Sequence, residues 1–174
     1  MILRSRGVTL LETLIASAVF VIILVAVIQI ERVGRDAASK NDAQTETFRM
    51  AALADEHVRR ELRASRVLAF SGKQGSLRYT PAARTAEGFV EVDGSGIVFQ
   101  TEPAEILMDG DGNLVRDFGV EPARILAALG TEGSAEFELV EEDLLRATYV
   151  AVRQDVTGQS RYQLTVDYYL RNQP

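Results

Sequence analysis

Apolar and polar positions follow three successive patterns along the chain. From Val8 to Ile30, 18 of 23 residues are apolar; the exceptions are Thr9, Glu12, Thr13, Ser17 and Gln29. As a helix rising ~1.5 Å per residue, this run covers about 35 Å, enough to cross a hydrocarbon core of ~30 Å. Beyond Ile30 the pattern becomes amphipathic. No proline precedes Pro81, and Gly34 is the only glycine between Val8 and Val67. Nothing therefore stops the helix before about Ser65, a length of roughly 87 Å. Phe48, Ala51, Val58 and Leu62 form the expected apolar stripe of its second half, with Asp55 interrupting it.

After Val67 the chain breaks into short runs separated by turn residues. Strands are expected at 67–71, 76–80, 96–101, 105–108, 113–118, 135–140, 144–153 and 160–171, and one short helix at 122–129. The last strand alternates cleanly, with Tyr162, Leu164, Val166, Tyr168 and Leu170 on one face and Gln163, Thr165, Asp167 and Arg171 on the other. The expected fold class is α+β, a long N-terminal helix whose second half packs on an antiparallel β head.

Composition sharpens this division. The chain of 174 residues has no cysteine, no tryptophan and one histidine, with a formal net charge of −6. Without cysteine there is no disulfide framework, no Cys-ligated zinc or iron–sulfur site and no thiol catalysis. One histidine, His57, excludes a two-histidine metal site. The mean hydropathy of +0.01 averages two unlike environments. The head, 67–174, carries nine basic and 17 acidic residues, and this acidity makes its surface a poor nucleic-acid receptor. Glu136, Glu138, Glu141, Glu142 and Asp143 read as a solvated edge and loop. Arg59, Arg60, Arg63 and Arg66 read as ion-pairing stalk residues rather than a DNA contact.

The apolar segment admits three readings. A cleaved secretory signal would be shorter and end in a small-x-small site, which Ile28-Gln29-Ile30-Glu31 lacks. A plain uncleaved anchor leaves Glu12 unexplained, because a carboxylate in an apolar span costs up to ~3 kcal/mol on insertion scales. The third reading uses Glu12. The start Met-Ile-Leu-Arg4-Ser-Arg6-Gly7, followed by Val8-Thr-Leu-Leu-Glu12, resembles the class III leader of type IV pilins and type II secretion pseudopilins. That resemblance implies cleavage between Gly7 and Val8 by a prepilin peptidase, N-methylation of Val8, and Glu12 as the carboxylate used in assembly. Val8 departs from the Phe or Met usual at that place. The resemblance divides the chain into a leader (1–7), a membrane and filament-core helix (8–30), an amphipathic stalk helix (31–66) and an extracytoplasmic head (67–174). The absence of a membrane-helix proline is similar to pseudopilins and minor pilins. The stalk end Arg59-Arg60-Glu61-Leu62-Arg63-Ala64-Ser65 and the hairpin Ile106 to Arg116 loosely resemble J-type (PulJ-like) minor pseudopilins and PilW-like minor pilins.

The implied protein is a structural subunit, not an enzyme, with no catalytic residues. Its expected partners are the prepilin peptidase, other pilins or pseudopilins, the inner-membrane assembly platform and membrane lipid. Its expected place is the cytoplasmic membrane, single-pass with the head outside, and then a filament. The rival expectation is a permanently anchored extracytoplasmic binding domain that never polymerises. No cofactor is expected beyond a calcium candidate at Asp109, Asp111, Asn113 and Asp117, oxygen ligands at near-alternate positions. Leu114 and Val120 stand where such a loop needs Gly and Glu, which favours a hairpin turn instead.

Overall fold

The computed structural model describes residues 9–71, 75–94, 96–119, 122–141, 143–155 and 158–170. Among these, one helix, α1 (Leu10–Leu62), precedes ten strands: β1 (Arg66–Ser71), β2 (Ser76–Thr80), β3 (Val92–Asp93), β4 (Gly96–Ile97), β5 (Ala104–Met108), β6 (Asn113–Asp117), β7 (Arg124–Ala128), β8 (Ser134–Glu141), β9 (Leu144–Asp155) and β10 (Gly158–Tyr169). The chain divides into two compact units within α1, after Asn41.

In the first unit every described residue is exposed except the half-buried Ser39. Its apolar run is the one helix among the described residues long and apolar enough to cross a membrane. In the second unit, α1 buries Ala43, Thr47, Ala51, Ala54, Val58 and Leu62, spaced by three or four residues along one face. The stripe differs from expectation in that Ala43 extends it, Ala54 fills the gap at Asp55, and Phe48 lies outside it. Phe48 is 51% exposed and Thr47 takes the buried position. Thr47 tolerates burial because its hydroxyl donates to the Gln44 carbonyl at 2.9 Å. Phe48 instead meets Tyr162 edge-on, with centroids 5.3 Å apart.

The head holds a five-stranded sheet, β1-β2-β5-β6-β7, a three-stranded sheet, β10-β9-β8, and the short pair β3-β4. All pairings are antiparallel. Leu77, Tyr79, Ile106 and Leu114 from the first sheet share one core with Phe137, Leu145, Tyr149 and Tyr168 from the second and with Ala51, Ala54, Val58 and Leu62 of α1. The architecture is α+β, a helix packed on an antiparallel β head. The alternation of β10 is present: Tyr168 and Leu170 are buried, Tyr162, Leu164 and Val166 half-buried, and Gln163, Thr165 and Asp167 exposed. Arg171 lies outside the described residues.

Two expected elements are corrected. The segment 122–129 is not a helix; it contains strand β7, which pairs with β6. Its Ala- and Leu-rich composition favours a helix locally, but pairing with β6 overrides that weak preference. A register shift between Leu114 and Val115 breaks the alternation, so Leu126 and Ala127 are buried side by side. The strand expected at 96–101 shrinks to β4, whose partner β3 was not anticipated; Phe99 keeps an isolated bridge to Ala82.

Backbone crosses backbone closely where the two sheets meet. Leu129 donates to the Gly112 carbonyl at 2.9 Å, and Val152 donates to the Leu129 carbonyl at 2.8 Å. Gly130, at φ 89°, lies so close that a Cβ there would stand 2.0 Å from the Val152 carbonyl oxygen. Only glycine satisfies both conditions.

Candidate functional site: the helix start and the stalk carboxylates

Gly7 and Val8 lie outside the described residues, so the expected processing and methylation site has no structural account. The residues that follow do. Glu12 N–H donates to the Thr9 hydroxyl at 3.3 Å, and Thr9 N–H donates to the Glu12 carboxylate at 3.4 Å. This reciprocal pair is a capping box, which satisfies two amides that a helix start leaves without partners. The Thr9-x-x-Glu12 spacing carries that signal in the sequence, and reading Glu12 as an assembly residue alone misses it. Glu12 remains exposed.

Farther along the apolar part of α1, hydroxyls are satisfied within the helix. Thr13 donates to the Leu10 carbonyl at 2.8 Å, and Ser17 to the Leu14 carbonyl at 2.9 Å. Such internal bonding lets polar side chains sit in hydrocarbon without an orphaned donor.

Stalk carboxylates grip the head at two points. Tyr168 donates its hydroxyl to Asp55 at 2.6 Å, and the Tyr149 hydroxyl lies 2.9 Å from that of Tyr168. Arg59 also binds Asp55, at 3.1 Å. Asp55, which interrupts the apolar stripe by sequence, is therefore the acceptor for a buried tyrosine pair. Farther along the helix, Glu61 accepts from Tyr79 at 3.1 Å and from Arg116 at 2.6 Å. Burial first, and then the neighbouring Glu61 charge, pushes the Tyr79 phenol well above its ordinary range. Burial does the same to Tyr168, aided by Tyr149 and Asp55. Both phenols stay protonated donors, as these contacts require.

The loop from Asp109 is a hairpin turn. One Asp109 oxygen accepts from the Asp111 and Asn113 amides at 2.9 and 2.8 Å, and the other from the Asn113 side chain at 2.9 Å. Asn113 first, then these amides, hold the Asp109 carboxyl below its ordinary range. Gly112 supplies the turn's positive φ of 81°. Asp117 accepts separately from Gly119 at 2.7 Å. Among the described residues no group of three His, Cys, Asp or Glu side chains could hold a metal ion.

His57 is half-buried on α1. Arg60 pairs with Glu56 at 2.9 Å, and Arg66 lies over the Phe99 ring at 5.9 Å. Glu136, Glu138, Glu141 and Asp143 are exposed, the first three on the sheet-edge strand β8. Glu142 lies outside the described residues. Tyr169 is 74% exposed.

No family model, no curated protein and no solved structure matches the chain.

Proposed function

We propose that the chain is a minor pilin or pseudopilin, a structural subunit of a type IV pilus or type II secretion pseudopilus. In this reading a prepilin peptidase cuts between Gly7 and Val8, the new terminus is methylated, and the span holds the subunit in the cytoplasmic membrane until assembly. The head then lies outside the membrane, and a place near the filament tip suits a low-abundance subunit that starts assembly. The observation that carries the reading is the run Arg4-Ser-Arg6-Gly7-Val8-Thr-Leu-Leu-Glu12 at the head of an unbroken apolar helix.

The physical role follows from spacing. Glu12 stands four residues beyond Val8 in the sequence and within the first turn of α1. Packed helices in a filament remove Glu12 from water, and a buried carboxylate needs a partner. The amine freed at Val8, its own or a neighbour's, supplies that cation and selects one longitudinal offset between helices.

The capping box favours a second reading. As a cap alone, Glu12 has a use in a permanently anchored extracytoplasmic binding domain that never polymerises. Glu12→Gln separates the two, since glutamine closes a capping box as glutamate does but carries no charge. For a subunit, mature chains isolated from cells begin at N-methyl-Val8, and Glu12→Gln is cleaved normally yet fails to enter filaments. Chains that still begin at Met1 defeat the subunit reading. Normal incorporation of Glu12→Gln reduces Glu12 to a cap.

A further inference from the structure

The head is acidic as a whole, yet one cleft in it is lined by arginine. Arg60 at the end of α1, Arg84 after β2, Arg116 on β6 and Arg124 at the start of β7 surround a space of about 400 Å³. Among the described residues one carboxylate, Glu61, shares the lining, and Arg116 and Tyr79 already occupy its two oxygens. Arg84 and Arg124 are exposed and pair with no carboxylate among the described residues. Arg84 is braced by donating to the Gly88 carbonyl at 2.8 Å. Among the described residues Arg60 pairs with Glu56 alone, both side chains being 62% exposed, and such a pair exchanges readily for another acid. Phe118 lies under the Arg116 guanidinium, 4.7 Å from its ring centroid, and closes one wall.

We propose that this cleft receives an acidic segment of a partner polypeptide, its carboxylates held by Arg84, Arg124 and Arg60. The proposal is independent of how the chain is anchored or assembled. Guanidinium forks match carboxylates two bonds at a time. A compact phosphate dianion fits less well, because it brings two charges to one point beside the C-terminus of α1, where the carbonyl dipole opposes anions, whereas a peptide spreads single charges toward Arg84 and Arg124. A long nucleic acid is disfavoured from outside. The adjoining surface carries Glu102, Glu105 and Asp117, and the head bears 17 acidic residues against nine basic ones. A short acidic segment reaches the arginines without lying along that surface.

The test uses the full chain in non-ionic detergent and a rhodamine-labelled octaglutamate, read by fluorescence anisotropy at low salt. Saturable binding is expected, weakening as salt rises. The double variant Arg84→Gln/Arg124→Gln weakens it about tenfold, the product of two exposed ionic contacts. Arg78→Gln/Arg161→Gln, equal in net charge but outside the cleft, leaves it unchanged. Because all four residues are exposed, both doubles are expected to melt with the parent, and Arg60→Gln gives a smaller, independent loss. Absence of saturable binding overturns the proposal, as does equal loss in the two doubles. Tighter binding of inorganic phosphate, or of a thymidylate octamer, overturns the peptide assignment.

Discussion

The two stretches of α1 use side-chain size in opposite ways. Before Asn41 the helix is Leu-, Ile- and Val-rich and has no fully buried residue among those described: Leu24 is 47% exposed and Ile22 68%. After it, the buried positions are mostly small, Ala43, Thr47, Ala51 and Ala54, before Val58 and Leu62. A large contiguous apolar surface in water is untenable, so the first stretch needs lipid or other chains around it. Small residues do the opposite job. They let the sheets approach the helix closely, and the bulk of the core comes from Tyr79, Tyr149, Phe137 and Leu77. Apolarity by itself therefore does not mark the core here; the most apolar segment is also the most exposed.

Two glycines expose this contrast most sharply. At Gly130 an alanine must adopt φ 89° and push its Cβ against the Val152 carbonyl. Gly130→Ala is expected to cost more than about 3 kcal/mol, because strain and collision add at a site that cannot relax. Gly34, on α1 in the first unit, has no positive φ, and a Cβ there would meet nothing within 4 Å. Gly34→Ala should leave the head's melting unchanged and strengthen the helix by about 0.5–1 kcal/mol. Near-UV circular dichroism of the tyrosines in detergent reads the first effect, and far-UV helicity the second. Equal melting of Gly130→Ala and the parent would refute the close crossing of the two sheets.

Leucines make the same comparison at somewhat smaller scale. Leu62 is 7% exposed and belongs to the core. Leu62→Ala should destabilise the head by about 2–4 kcal/mol, the usual cost of an unfilled cavity. Leu24→Ala, made in a segment with no buried residue among those described, should leave urea unfolding of the head in place. A matching loss in both variants would mean that the first stretch contributes to the head's stability after all.

The extent to which these features were legible from sequence depends on the range of the interactions involved. Local signals were readable: the apolar run, the period-2 alternation of β10, and the Asp109–Asn113 turn all follow from neighbours within a few residues. Thr9 and Glu12 carry an equally local signal, the three-residue spacing of a capping box. Long-range partners were not readable. Asp55 marks only a gap in the apolar stripe until Tyr168, 113 residues away, is brought to it. The arginine cleft likewise joins residues from α1, the loop after β2, β6 and β7. Strand β7 failed for a related reason, since its pairing with β6, not its own composition, sets its conformation.

The smallest expected effect concerns the water-facing side of the head. Arg146 on β9 stands directly across from Asp167 on β10 and binds both of its oxygens, at 2.8 and 2.9 Å. Hydrogen bonding to Arg146 holds the Asp167 carboxyl below its ordinary value. A carboxyl lowered by folding adds stability above its unfolded value of about 3.9 and loses that contribution as pH falls through the folded value. Asp167→Asn should therefore lower the melting temperature slightly near neutrality, and the gap to the parent should close as the solution is acidified below about pH 4. Both side chains are about two-fifths exposed, 41% and 38%, so added salt should shrink the gap as well. The same closing gap is expected in a Leu24→Ala background, because Leu24 belongs to the other unit. A gap that persists undiminished to pH 2 would show that Asp167 acts through packing, and that charge pairing on this face contributes nothing to the head.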